Sequence, residues 1–191
     1  MLNQILNSRV LLVFITPFFL GLLSVLSFQP FNITLINFLI IPIFFLILSN
    51  INKRSKNKYR KKPYLKNLFF VGYFFGIGFF LSGTYWISYS LTFDENLNIL
   101  IPFSIIMIPV CLGLFLGLAS LCIGPFMKNN YSSFLLFCFI FSFIDFLRGK
   151  ILSGFPWNLW SYSWSWFVEV IQVLNPIGLY AFNSISIAFF C

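Results

Sequence analysis

The sequence predicts an all-α protein, a polytopic transmembrane helical bundle of about six spans, on three observations. The chain of 191 residues is 60% hydrophobic and only 8% charged, whereas soluble domains carry about 25% charged residues. Aromatic residues make up 22% of it, with 29 Phe. The apolar residues fall in runs near the ~20 residues that a membrane-crossing helix needs. We expect helices in these runs because lipid cannot hydrogen-bond an open backbone.

The predicted spans are residues 10–28, 33–48, 67–90, 97–123, 131–147 and 167–191. The first is too long for the apolar region of a signal peptide, so we expect it to remain as an anchor that ends at Gln29-Pro30. The second is short and contains Pro42. The acidic pair Asp94-Glu95 separates the third span from the fourth.

The composition excludes several function classes. The chain has no His, which removes His-based triads and HExxH zinc sites. It has four acidic residues and four cysteines, and no two cysteines are spaced as CxxC. Together with the low content of charged residues, these absences exclude a soluble enzyme and disfavour a self-contained membrane enzyme. Nothing in the sequence predicts a metal site or a cofactor.

The distribution of charge predicts the orientation of the bundle. Eight of the twelve Lys and Arg residues lie in the loop 52–66, and short basic loops stay in the cytoplasm. The N-terminus is then also cytoplasmic, and the loop 148–166 faces outward. Attraction to anionic lipid explains the basic loop with fewer assumptions than nucleic-acid binding, so no nucleic-acid partner is expected.

Arg148 and Lys150 depart from this charge rule because they fall on the outer side. Asp145 precedes Arg148 by three residues, so the two can form a structural ion pair on one helix face. A lipid-headgroup role for Arg148 is the second interpretation. Both stay open, since a guanidinium can bind a carboxylate and a phosphate together.

Small residues on the third and fourth spans predict how these helices pack. The patterns Gly72-xxx-Gly76 and Gly113-xxx-Gly117 allow close approach of two helix backbones in lipid. We interpret them as ordinary bundle packing.

The outward loop contains an aromatic segment, residues 153–166, with four of the five Trp residues. Indole rings favour the headgroup level of a bilayer, which makes an aromatic belt the simpler interpretation. The alternative is a half-buried platform that holds acyl chains or a lipid-bearing substrate.

Residues 145–157, DFLRGKILSGFPW, closely resemble a signature of bacterial apolipoprotein N-acyltransferases, membrane enzymes of the nitrilase superfamily. Segments 21–30, 76–87 and 171–183 are similar to other parts of that family in the same order, so the resemblance covers essentially the whole chain. It implies transfer of an acyl chain from a phospholipid, through a cysteine thioester, to the N-terminal diacylglyceryl-cysteine of an apolipoprotein. The reaction belongs to lipoprotein maturation at the outer face of the bacterial inner membrane.

The family carries its catalytic Glu, Lys and Cys in an α/β nitrilase-like domain after the seventh span, and none of them can be assigned to a position here. The resemblance therefore implies the N-terminal transmembrane part only, truncated and inactive alone, with no catalytic residue of its own. The residues expected to shape an outer-face lipid site are Trp86, Arg148, Gly154, Phe155, Pro156, Trp157 and Tyr162.

Two alternatives belong to other classes. The chain could be half of a split enzyme whose nitrilase-like catalytic domain is a separate polypeptide. It could instead be a nonenzymatic lipid-binding or transporter-like membrane protein that reuses the scaffold. The first would be recognised from a neighbouring nitrilase-like sequence, and the second from lipid-independent solute uptake in proteoliposomes.

Overall fold

A computed structural model describes residues 9–56, 63–128, 130–151, 154 and 156–191. Regular structure in these residues is entirely helical, without a strand, which confirms the all-α prediction. Four described helical stretches are long and apolar enough to cross a membrane: Thr34–Lys53, Tyr64–Phe93, Glu95–Phe126 and Tyr131–Arg148. Three shorter apolar helices accompany them: Leu11–Ser27, Val168–Ile177 and Leu179–Phe190.

The first five predicted segments each overlap one main helix. These helices are α1 (Thr16–Ser24), α2 (Asn37–Lys56), α3 (Pro63–Thr84), α4 (Ile101–Ile123) and α5 (Tyr131–Arg148). A π-helical turn, Leu11–Ile15, leads into α1, and 3₁₀ helices Tyr85–Phe93 and Glu95–Leu100 join α3 to α4. Helix α2 continues to Lys56, into the predicted loop 52–66; residues 57–62 of that loop lie outside the described part of the chain.

The sixth predicted segment, 167–191, differs from a single helix. It is divided into α6 (Val168–Ile171), α7 (Leu174–Ile177) and α8 (Leu179–Phe190), after a 3₁₀ helix at Trp160–Trp164. Pro176 has no backbone N–H to continue a hydrogen-bond ladder. Gly178 then takes φ 80° and ψ 164°, a conformation that glycine adopts at no steric cost and that stops the helix before α8.

Glycine contacts set the close packing of α3 against two neighbours. A Cβ atom on Gly72 would overlap the Leu116 carbonyl oxygen and the Ser120 hydroxyl of α4. A Cβ atom on Gly78 would overlap the Phe18 carbonyl oxygen of α1. The backbone of α3 therefore touches both helices directly, which is the contact that the small-residue patterns predict for α3 and α4.

The two ends of the bundle differ in chemistry. At one end the Asn52 amide donates to the carbonyl oxygens of Pro125 and Met127, so the end of α2 meets the α4–α5 connection; we call this the basic end. At the opposite end the α3 and α5 termini meet the described part of the aromatic segment, residues 156–166, which we call the aromatic loop. This second end is the aromatic end.

Candidate functional site

The aromatic loop is anchored in the bundle by Trp160. Its side chain is only 5% exposed and stacks on Phe79, with ring centroids 5.0 Å apart and an interplanar angle of 14°. Phe75 lies beside the same indole at 6.4 Å. Trp160 is thus a core residue rather than part of a headgroup belt. Trp157 and Trp166 are exposed.

A buried ion pair lies beneath the loop. Arg148 and Asp145 are 2% and 3% exposed, and Arg148 Nη2 donates to Asp145 Oδ1 at 3.0 Å. Arg148 Nη1 donates to the Trp157 carbonyl oxygen at 2.8 Å, and the guanidinium carbon lies 5.0 Å from the centroid of the Phe80 ring. Burying charges is costly unless they are paired and hydrogen-bonded. These contacts supply that compensation and tie α5, α3 and the loop together.

Asn183 extends the same network from α8. Its amide nitrogen donates to Asp145 Oδ2 at 3.0 Å, and its amide oxygen accepts from the backbone N–H of Ser161 at 3.1 Å. The two oxygens of one carboxylate therefore hold the loop at two points: one through Arg148 at Trp157, the other through Asn183 at Ser161. The residues between these two points include Asn158 and Trp160.

A further pair of hydrogen bonds joins the loop to the 3₁₀ helix Thr34–Ile36, which directly precedes α2. The Thr34 hydroxyl donates to the Ser163 carbonyl oxygen at 2.6 Å, and the Trp166 indole N–H donates to the Thr34 hydroxyl oxygen at 2.7 Å. The loop therefore contacts this 3₁₀ helix, α3, α5 and α8, and it forms a preorganised wall at the aromatic end.

This wall encloses a cavity of about 410 Å³. The opposite walls come from the end of α3 and from the connection that follows α1. Its lining includes Phe28, Gln29, Pro30 and Phe31, then Ser82, Gly83, Tyr85 and Trp86, and from the loop Trp157, Asn158, Tyr162 and Ser165. No described lining residue is charged. A mainly apolar cavity with several aromatic side chains and a few polar groups is suited to an apolar ligand that carries a polar end.

Two contacts shape the cavity mouth. The Trp86 indole N–H donates to the Gly83 carbonyl oxygen at 3.0 Å, and its ring meets Trp157 edge-on at 5.6 Å. With its N–H bonded, Trp86 offers mainly apolar ring surface. Asn158 adopts a positive φ of 55° and packs so close to Gly83 that a Cβ there would overlap the Asn158 amide.

The structure separates the predicted lipid-site residues into two groups. Trp86, Trp157 and Tyr162 come together on the cavity wall. Arg148 lies below the wall, and Gly154 and Pro156 are not among the described residues that line it. Phe155 lies outside the described part of the chain. The Asp145–Arg148 ion pair is present. Because the Arg148 guanidinium is buried, lipid has no access to it.

The surroundings of Tyr162 raise the pKa of its hydroxyl. Burial raises its pKa above the ordinary value of 10.0, and the nearby Tyr180 adds to the increase. The positive charge of Arg148 lowers the pKa but does not reverse the shift. Tyr162 is therefore protonated and neutral at neutral pH.

Several site residues are not in the predicted set. Gln29 and Pro30 line the cavity although they are distant in sequence from the aromatic segment, and their only signal is the family resemblance at the end of the first span. Ser82 and Gly83 have the same weak signal in the third span. Asn183 also lies in a segment that resembles the family, 171–183, but its sequence position does not indicate the contacts with Asp145 and Ser161.

An all-helical membrane bundle with an uncharged cavity at its aromatic end is the class of protein that these observations define. Over residues 20–191 the chain matches the family described as the apolipoprotein N-acyltransferase N-terminal domain. It belongs to the apolipoprotein N-acyltransferase family through this domain.

Individual relatives agree with this assignment. The apolipoprotein N-acyltransferase of Rickettsia prowazekii is 38% identical over 117 residues, which are 61% of this chain and 23% of the relative. That of Rickettsia typhi is 34% identical over 172 residues, 89% of this chain and 32% of the relative. That of Brucella melitensis is 27% identical over 177 residues, 92% and 33% of the two chains. The chain thus spans between 23% and 33% of the length of these curated relatives.

Proposed function

We propose that this chain is the membrane portion of an apolipoprotein N-acyltransferase and that the aromatic-end cavity holds an acyl chain for the transfer reaction. The donor is a phospholipid and the acceptor is the N-terminal diacylglyceryl-cysteine of an apolipoprotein, so the function belongs to lipoprotein maturation. The observation that carries the proposal is the uncharged cavity built from three segments that all resemble the family.

The cavity walls offer apolar surface for a lipid tail and hydrogen-bonding groups for its polar end. Phe28, Trp86 and Trp157 provide apolar and aromatic surface for methylene groups, whose transfer from water is favourable. Asn158 and Ser165 provide hydrogen-bonding groups for an ester or amide. A wall that is already fixed by the Asp145 network loses little further conformational entropy when it binds a lipid chain.

The chemistry itself requires groups that the described cavity lining does not contain. Acyl transfer through a thioester needs a cysteine nucleophile and a base that activates it, and no described lining residue is a Cys, Glu, Asp or Lys. The proposal therefore assigns substrate holding to this chain and catalysis to a nitrilase-like part on the same or a separate polypeptide. The chain alone is then inactive.

The proposed setting is the bacterial inner membrane, with a multi-pass arrangement. The basic end, which includes Arg9 and Lys53, faces the cytoplasm, in keeping with the preference of Lys- and Arg-rich loops for that side. The aromatic end and its cavity face outward, where the acyl acceptor arrives.

The activity experiment uses cells depleted of their own apolipoprotein N-acyltransferase. We expect this chain alone to leave lipoproteins diacylated, as measured by mass spectrometry of their N-terminal peptides. Co-expression with the remaining C-terminal part of the Rickettsia typhi relative tests the split-enzyme arrangement. Triacylated lipoprotein produced by this chain alone would contradict the proposed division of roles.

The cavity experiment uses a phospholipid with a photoreactive group on its acyl chain, in vesicles that contain the chain. We expect crosslinks to Trp86 and Trp157, and we expect Ser165→Phe to suppress them because the new ring fills the cavity. Ser90→Phe is the matched control, since Ser90 is exposed and outside the lining. Equal crosslinking in both variants would place the lipid elsewhere and refute the cavity assignment.

A further inference from the structure

A second cavity lies at the basic end and has no part in the proposed function. Its volume is about 540 Å³, and its lining includes Phe126, Lys128, Asn130, Ser132, Ser133 and Leu136. It is formed by the α4–α5 connection and the first turns of α5. Its walls are polar and apolar in similar measure, whereas the walls of the cavity at the opposite end are mainly apolar.

Hydrogen bonds hold the walls of this cavity in place. The Asn52 amide of α2 donates to the Pro125 carbonyl oxygen at 3.3 Å and also to that of Met127. The Ser133 hydroxyl donates to the Phe126 carbonyl oxygen at 3.1 Å and accepts the Lys128 backbone N–H at 2.9 Å. The connection is thus braced from two helices while the Lys128 side chain stays exposed. A preformed cavity loses little entropy when it binds a ligand.

The charges around the cavity are all of one sign in the described part of the chain. Arg9, Lys53 and Lys66 lie at the same end, and Arg9 Nε donates to Asn67 at the start of α3. The four acidic residues lie away from this end. Asp145 is bound to Arg148. Asp94 and Glu95 follow the 3₁₀ helix after α3, and Glu169 follows the aromatic loop. The Lys128 ammonium therefore keeps its attraction for an external anion.

We propose that this cavity binds an anionic phospholipid, with the phosphodiester at the Lys128 ammonium and an acyl chain along Phe126 and Leu136. The Ser132 hydroxyl is an additional donor to the phosphate. Phe126 is 62% exposed and supplies apolar surface next to the polar wall, which a free phosphate ion would not use. Basic cavities between transmembrane helices on the cytoplasmic side are known to suit such headgroups.

The test titrates the purified chain in detergent with phosphatidylglycerol and counts retained lipids by native mass spectrometry. Parallel arms use phosphatidylcholine with the same acyl chains and inorganic phosphate. Lys128→Gln should weaken phosphatidylglycerol binding about tenfold, the effect of losing a hydrogen bond to a charged group. Lys150→Gln removes the same charge at the opposite end and should leave binding within about twofold of the unmodified chain.

Ser132→Ala is a second variant for the case in which Lys128→Gln does not fold. Ser132 is exposed, so its loss should lower phosphatidylglycerol retention without loss of helix content by circular dichroism. Equal effects of Lys128→Gln and Lys150→Gln would overturn the proposal. Equal retention of phosphatidylcholine, or full displacement of phosphatidylglycerol by equimolar inorganic phosphate, would overturn it as well.

Discussion

Replacement of Arg148 by Met should destabilise the bundle strongly, because the substitution leaves the Asp145 carboxylate buried without its cation. Arg148 and Asp145 are joined at 3.0 Å, and neither side chain has appreciable access to the surroundings. The substitution also removes the donor to the Trp157 carbonyl oxygen. Met occupies a similar volume, so the effect reports the lost charge and hydrogen bonds more than a cavity.

The expected magnitude follows from the burial of the pair. Removal of one partner of a buried ion pair costs about 3–5 kcal/mol. The double variant Asp145→Asn, Arg148→Met should recover part of this loss, since a neutral amide needs no counter-charge and its oxygen can still accept from Asn183. The remaining cost, about 1–3 kcal/mol, is that of the carbonyl group that loses the Arg148 donor.

The assay is denaturation by SDS in mixed micelles, followed by tryptophan fluorescence, with Lys150→Met as the matched control. Lys150 is exposed, two residues further along the chain, and its replacement should change the free energy of unfolding by no more than about 0.5 kcal/mol. Two results would contradict the role of the buried network in holding the loop. One is that Arg148→Met lowers the free energy of unfolding no more than Lys150→Met does. The other is that the double variant lowers it more than Arg148→Met alone.

Three further predictions concern packing, loop anchoring and pH. Gly72→Val should cost about 1–3 kcal/mol or more in the same unfolding assay, because its side chain would overlap Ser120 and the α4 backbone; an unchanged midpoint contradicts this contact. Asn183→Leu should cost about 1–3 kcal/mol and speed proteolysis of the aromatic loop, since the Ser161 N–H loses its acceptor; unchanged proteolysis would argue against anchoring. The raised pKa of Tyr162 makes the free energy of unfolding fall as pH rises from its ordinary value of 10.0 toward the folded-state pKa. Tyr162→Phe should flatten this decline in a pH series of the unfolding assay, and an equal slope in both proteins would contradict the shift.

Composition and hydrophobic runs predicted the helical class because they depend only on the solvent that each segment must face. Lipid imposes helices on apolar stretches of sufficient length, as in 97–123, which contains α4. The same reasoning was wrong for the last segment. Residues 167–191 are apolar enough for one helix, but Pro176 and Gly178 divide them. Average hydropathy carries no information about such local breaks in a hydrogen-bond ladder.

The tertiary structure alone decided which residues share the cavity and which support it from beneath. The sequence by itself determined the aromatic character of the loop and the spacing of Asp145 and Arg148, both of which are local properties of the chain. It could not place Gln29 and Ser82 beside Tyr162, or bring Asn183 to Ser161. These contacts join residues that are far apart in the chain. They form only when the helices pack through specific glycine contacts and bury their polar groups against one another.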